Sequence, residues 1–477
     1  MVIVCPFALD GGAFTNQEIT NMKRWNRLLV LFSVFALVLA ACGDDGGTEE
    51  TTTTAAGEDP GTDNEFTDVD VSGTEVTVWG APTGDEGASI QATFNIYGEA
   101  TDSVAQYLGS DSFEQDLRIA ADGGSPPDIA ITPQPGSICE FADAGQLVSL
   151  EDMGFDIAAL EAAHGAYFIG LGECDGSHYA VPTNANYKSI IWYNKPAFEA
   201  GGYTIPTTWD ELMALSQQLA DDGITPWCIG LGSEAATGWP GTDWIEDILV
   251  RTAGADVYNQ WVNHEIPFND PAVAEAFETF GEVMFTDGWV LGGADGVSAI
   301  DFRDAPNPMF NEPPSCMLHR QASFIASFFP DGVESGVDAD FFDFPSINPD
   351  LPPAAMGGGE LAMVFNDRPE VVALLRAYSE PALQCVQASA AGHGVAGIER
   401  ISANANTSPD CYESDTVRKQ AEAVAAALAG NGFVFDASDL MPSAVGQGSF
   451  WEGMVEWTRG EATADVLATI EASWPAE

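Results

Sequence analysis

Val76-Thr77-Val78-Trp79-Gly80 and Pro127-Asp128-Ile129-Ala130-Ile131-Thr132 are short apolar runs bounded by turn residues. Between them the pattern turns helical from about Glu86 and returns to a strand near Val104 to Leu108. It becomes helical again around Phe113 to Ala121, where Gly123-Gly124 stops it. Strand, helix, strand, helix, strand is the rhythm of an open parallel sheet with helices on both faces, so the fold class is α/β. No Gly-x-Gly-x-x-Gly turn accompanies the first strand, and no dinucleotide or other cofactor is implied.

The rhythm restarts at Ser189-Ile190-Ile191-Trp192-Tyr193-Asn194. Thr208-Trp209-Asp210-Glu211 then forms a capping box, in which hydroxyl and carboxylate satisfy the first free amides of a helix. Leu212, Leu215 and Leu219 share one face of that helix, and Gly223 ends it. A further helix opens at Asn269-Asp270-Pro271, with Asp at the cap and Pro in the first turn. Its stripe of Val273, Phe277, Phe280 and Met284 has core spacing, and the tail from Asp415 to Trp474 is mostly helical.

The front of the chain has a different character. Met22-Lys23-Arg24-Trp25-Asn26-Arg27 is basic and runs into an apolar stretch from Leu28 that ends in Leu39-Ala40-Ala41-Cys42. A basic start, a short apolar core and small residues before a cleavage point mark an export signal over 1–41, too short to span a bilayer. Residues 1 to 21 lack Lys and Arg, so Met22 is the expected start. The Leu-Ala-Ala-Cys ending resembles the lipobox of bacterial lipoproteins, which implies cleavage before Cys42 and lipid on its thiol. Residues 42–74 read as an acidic, flexible tether. What remains, about 400 residues, exceeds one compact core and points to two domains.

With 73 acidic residues against 15 basic ones, the chain carries a formal charge of -58. Such a surface repels nucleic acid and anionic lipid, and its self-repulsion is relieved by salt. Beyond Cys5 and Cys42 lie Cys139, Cys174, Cys228, Cys316, Cys385 and Cys411, an even set that reads as disulfides in an exported protein. No Cys-x-x-Cys spacing occurs and the histidines are scattered, so no metal site is expected.

Several segments resemble the extracellular solute-binding proteins of carbohydrate ABC importers, and most of all their α-glucoside-binding branch. They are Trp192-Tyr193-Asn194-Lys195 followed by Pro206 to Leu212, Trp227 to Gly230, Ala236 to Asp247, His264 to Asp270, Leu318 to Phe324 and Phe365 to Val371. The resemblance implies a two-lobed periplasmic-binding-protein fold, each lobe a sheet flanked by helices, hinged at crossing segments, with ligand in the cleft. It places 75–187 plus 317–357 in the N-terminal lobe and 188–316 plus 358–477 in the C-terminal lobe. Gly357-Gly358-Gly359 is expected to make a pliant crossing. Bridges Cys139–Cys174 in the first lobe, Cys385–Cys411 in the second, and Cys228–Cys316 would close near-neighbour loops and leave lobe motion free. The implied partners are a sugar, the importer's permease subunits and, through the lipid anchor, the membrane's outer face.

A neutral sugar offers hydroxyl edges and apolar ring faces, so its binder needs polar side chains and aromatic platforms. Trp239, Asp243 and Trp244 lie in a loop-like segment with Gly238 and Pro240, where Trp239 suits stacking and Asp243 accepts hydroxyls. Asp85 and Gln134 follow strand ends, where open α/β sheets bind ligands. Asn184 and Glu360 stand at the crossings. Arg320 and Arg368 are scarce cations that either clamp a sugar edge or pair with a nearby acid. A secreted glycosidase is the competing class, but it needs two opposed carboxylates, and with 73 acids such pairs identify nothing. No hydrolase motif is present, and a receptor for peptides or other non-sugar solutes is the third class.

Overall fold

In the computed structural model, residues 66–389, 400–430 and 432–475 are described. The signal region, Cys42 and the tether as far as residue 65 lie outside them. Glu75–Gly80, Val104–Gly109 and Ile129–Thr132 form the expected parallel core of a five-stranded sheet. Leu361–Val364 pairs antiparallel with Ile129–Thr132, and Ala180–Pro182 closes the other side. Val76, Val78, Ile129 and Ile131 point into one apolar cluster with Ile90 and Phe94 of the helix Gly84–Thr101 and Leu374 of Pro369–Ser379. This is the first lobe.

The second lobe is built on a four-stranded sheet ordered Ala339–Asp343, Ile190–Asn194, Cys316–Arg320, Thr225–Trp227. The capping box of Thr208 and Glu211 is formed, and the helix it starts runs Trp209–Asp221. Asp270 caps Pro271–Met284, whose Val273, Phe277, Phe280 and Met284 are buried as their spacing requires. Trp451–Thr458 and Thr463–Glu471 complete this core.

Three segments join the lobes side by side. Asn186–Tyr187, Ala355–Gly358 and Phe433–Phe435 form a small sheet with Ala355–Gly358 in its centre. The expected allotment therefore shifts: Cys316–Arg320 and Ala339–Asp343 pair within the second sheet, while Leu361–Val364 and the helix after it belong to the first. Apolar strands of either lobe look alike in sequence, and only long-range pairing assigns them. The bridges are Cys139–Cys174, Cys228–Cys316 and Cys385–Cys411. Cys385 rides on Pro381–Ala388, which packs on Gly84–Thr101, so its bridge sits with the first lobe rather than the second.

The glycine run has a different role from pliancy. None of Gly357, Gly358 and Gly359 has a positive φ. They are small because the crossings touch: a Cβ on Gly357 would strike the Phe433 ring, and one on Gly359 the Asn184 carbonyl oxygen. Asn184 locks the same point, its Oδ1 accepting from the Glu360 amide at 2.9 Å. Gly359→Ala is thus expected to destabilise the fold by about 1–3 kcal/mol, the usual overpacking cost. Gly170→Ala, where nothing lies within 4 Å, is the control. Urea unfolding of both checks this, and equal stability of the two variants would contradict the close-approach account.

Candidate functional site

A cleft opens between the lobes. Its first-lobe wall comes from the carboxyl ends of the parallel strands, where backbone groups and helix starts are free to meet a ligand. Pro82, Thr83 and Glu86 follow the first strand, Ser110, Asp111 and Glu114 the second, and Pro133 and Gln134 the third. The facing wall is aromatic. Trp239 is half-buried, 5.0 Å from Phe302 and 6.0 Å from Phe324 between ring centroids. Lys188, Asp436, Ser438 and Asp439 make the floor beside the crossing sheet, with Glu360 at its edge.

The floor rests on buried ion pairs. Lys188 Nζ donates to Asp243 Oδ1 at 3.0 Å and to Asp436 Oδ2 at 2.5 Å, and it lies 5.3 Å from the Trp239 ring centroid. Arg320 joins Asp243 at 2.8 Å and Asp247 at 3.1 Å, and Arg251 also pairs with Asp247. Burial alone would lower the Lys188 pKa, but Asp243 and Asp436 outweigh it and raise the ammonium above its ordinary value. Burial also pushes Asp436 up, yet Lys188 prevails and holds that carboxyl at about 2. Asp243 goes the other way, raised by burial to about 6 despite Lys188 and Arg320. Asp243, Glu246 and Asp436 lie close enough to share a cation. The Lys188 ammonium already supplies positive charge there, while Glu246 accepts the amides of Ala437 and Ser438.

On the first-lobe side, Arg400 spans Glu360 at 2.5 Å and Glu86 at 3.4 Å. Burial raises Glu86 to about 7 against the pull of Arg400. Burial also raises Glu114 and, more strongly, Asp439. A raised pKa favours the protonated carboxyl, which donates a hydrogen bond as well as accepting one.

Of the residues singled out by sequence, Gln134, Trp239 and Glu360 line the cleft together. Asp85 is exposed on the first turn of its helix, and one residue's rotation aims Glu86 inward instead. Asn184 is buried as a crossing lock. The stretch from Trp239 is the start of a helix, Trp239–Thr252, rather than a loop: Gly238 approaches the Trp451 backbone, and Pro240 fits a first turn that needs no amide donor. Helical geometry then turns Asp243 beneath the floor and sends Trp244 into the core, stacked on Phe280 at 4.7 Å. Arg320 is buried among acids, and Arg368 pairs with Asp128 and Glu370 outside the cleft. Sequence reasoning passed over Lys188, Arg303, Arg400 and Asp436. Lys188 carried one legible signal, a lone cation just before the apolar run Ile190-Ile191-Trp192-Tyr193.

This architecture agrees with what known proteins show. A family model described as bacterial extracellular solute-binding protein matches residues 80–381. The chain belongs to that family. The alpha-glucosides-binding periplasmic protein of Rhizobium meliloti is 40% identical over 412 residues, 85% of this chain and 88% of that protein. An osmoprotective compounds-binding protein of Synechocystis is 41% identical over 403 residues, 84% and 92% of the two chains. Among solved structures, a bacterial solute receptor with a preference for β-D-galactopyranose superposes at a TM-score of 0.71 with 18% identity, covering 84% of this chain and 98% of that one. A maltose-bound Thermotoga maritima protein (T. maritima) gives a TM-score of 0.63 with 14% identity, covering 84% and 98%. The shared fold is the two-lobed solute-receptor fold.

The Glu86 carboxyl yields a pH prediction. Its folded pKa, about 7, lies above the ordinary 4.5. The folded chain therefore holds the proton more tightly than the unfolded chain, and the stability this gives is full at low pH and lost as pH rises through about 7. Relative to Glu86→Gln, the wild type should lose up to about 3 kcal/mol between mildly acidic and mildly alkaline buffer. Urea titrations of both proteins across that range measure it, and a constant difference would mean that Arg400 keeps Glu86 ionised throughout.

Proposed function

We propose that this receptor captures a neutral glycoside, an α-glucoside or a related oligosaccharide, and delivers it to the permease of an ATP-driven importer while held to the membrane by lipid on Cys42. One observation carries the ligand reading. The Trp239 ring, framed by Phe302 and Phe324, shares one cleft with Gln134 and Glu114 of the facing wall and Asp439 of the floor. A stacking platform opposite hydroxyl-binding groups is what a sugar ring with polar edges requires. The name of the Rhizobium relative supports the same class. The cleft's cations, Lys188 and Arg303, are both paired with acids, which disfavours anionic ligands.

A small osmoprotective compound is the second reading. The Synechocystis relative favours it, and so does a net charge of -58, since acid excess suits salty surroundings.

Calorimetry with α-glucosides, glycosylated polyols, amino acids and oligopeptides tests both. A glycoside should bind and the amino acids and peptides should not, whereas a peptide as the best ligand would overturn the proposal. Release of free sugar by purified protein would favour a glycosidase instead. Trp239→Ala should weaken glycoside binding by about 1–3 kcal/mol, by analogy with the stacking of nucleobases on aromatic side chains, with its melting temperature near the wild-type value. Unchanged affinity would remove Trp239 from the site. For the anchor, Cys42→Ser should move the protein from the detergent phase to the aqueous phase on partitioning, and a variant that stays with membranes would contradict lipid at Cys42.

A further inference from the structure

Arg303 of the second lobe reaches across the cleft mouth to the first. Arg303 follows the bridge that ties Asp301 to Gly232 beside the second sheet. Its guanidinium lies over the Phe302 ring, 4.6 Å from the centroid, and 5.8 Å from that of Phe328. Nη1 is 3.3 Å from Asp301 on its own segment. Nη2 faces the other lobe, donating to Asp111 Oδ1 at 2.5 Å and to Thr83 Oγ1 at 3.3 Å. Thr83 and Asp111 lie in the loops that follow two adjacent strands of the first sheet and are themselves joined, Thr83 Oγ1 donating to Asp111 Oδ1 at 3.0 Å. One cation thus ties two first-lobe loops to the aromatic wall.

We infer that Arg303 and Asp111 form an interlobe latch that sets how long a ligand stays in the closed cleft, and that salt tunes it. Arg303 is a positioning residue: it holds the loops of Thr83 and Asp111 over the cleft and does so through a pair between lobes, not within one. The side chains of Arg303 and Asp111 remain 25% and 45% exposed, so mobile ions reach the pair. At molar salt the screening length shrinks to about 3 Å, and the attraction fades. Lys188, the other cation of the cleft, is sheltered between Asp243 and Asp436 and keeps its pairs under the same conditions. Salt therefore acts on the mouth and spares the floor. The inference rests on the reading of the protein as a closing receptor.

Stopped-flow release of a bound α-glucoside tests it in the wild type, Arg303→Gln, Asp111→Asn and the double variant. In dilute buffer each single change should raise the release rate about three- to fivefold, the ceiling for an exposed pair. The double variant should be no faster than either single, and Arg303→Lys should recover part of the loss. At molar salt the wild type should approach the variants. Additive single effects, or release rates that ignore salt, would overturn the latch, as would a lowered melting temperature with unchanged release. A second readout needs no sugar: in dilute buffer, Arg303→Gln and Asp111→Asn should have larger scattering radii than the wild type. If the wild type binds no glycoside yet the variants expand, the ligand reading fails and the latch stands. If the wild type binds but release and radius are unmoved by the variants, the latch fails and the ligand reading stands.

Discussion

Lys188 between Asp243 and Asp436, and Arg320 between Asp243 and Asp247, are the contacts on which the rest of the molecule depends. In a chain with 73 acids and 15 bases, cations are the scarce component, and three of them are buried in one cluster. The cluster unites the first crossing segment, the helix Trp239–Thr252, a central strand of the second sheet and the turn after Phe433–Phe435. A buried pair of this kind adds little over a well-packed apolar core. Removing one partner costs about 3–5 kcal/mol, because the other charge is left without compensation. The cluster therefore fixes the geometry of the crossing more than it raises overall stability, and Ser189 extends it by donating to Asp247 at 2.8 Å.

That arrangement shapes the cleft above it. Lys188 supports the floor under Trp239 but has its charge spent on Asp243 and Asp436, so the ligand meets polar groups without strong net positive charge. Burial raises the pKa of Glu86, Glu114 and Asp439, which favours their neutral forms. Together these effects produce a site matched to hydroxyl groups and an apolar ring face, inside a protein whose exterior is strongly anionic. The exterior repulsion makes cross-lobe attraction at the mouth more consequential, and Arg303 supplies it where the two lobes come together.

Much of the secondary structure of both lobes was legible because its signals are local. The strand from Val76, the helix stopped by Gly123-Gly124 and the capping box at Thr208 each depend on residues within a few positions of one another. Cleft residues were legible where a strand end announced them, as with Gln134, where a glycine run marked a crossing, as with Glu360, or where a tryptophan stood between Gly and Pro, as with Trp239. Asp85, Asp243 and Trp244 were misplaced because a helix turns about 100° per residue, so a neighbour one position away faces elsewhere. Glu86 instead of Asp85 is the plainest case.

The sequence by itself determined the α/β class, the order of most elements, the even cysteine set and the charge that a partner or ligand must tolerate. These follow from periodicity, capping chemistry and composition, all short-range or additive properties. The tertiary structure alone decided which lobe owns Cys316–Arg320, Ala339–Asp343 and Leu361–Val364, why Gly357 and Gly359 have no side chain, and which acids receive the few cations. Lys188 and Asp436 are 248 positions apart in the chain and 2.5 Å apart in space. Among so many carboxylates, only the packing of crossing segments selects the one that a buried ammonium will meet.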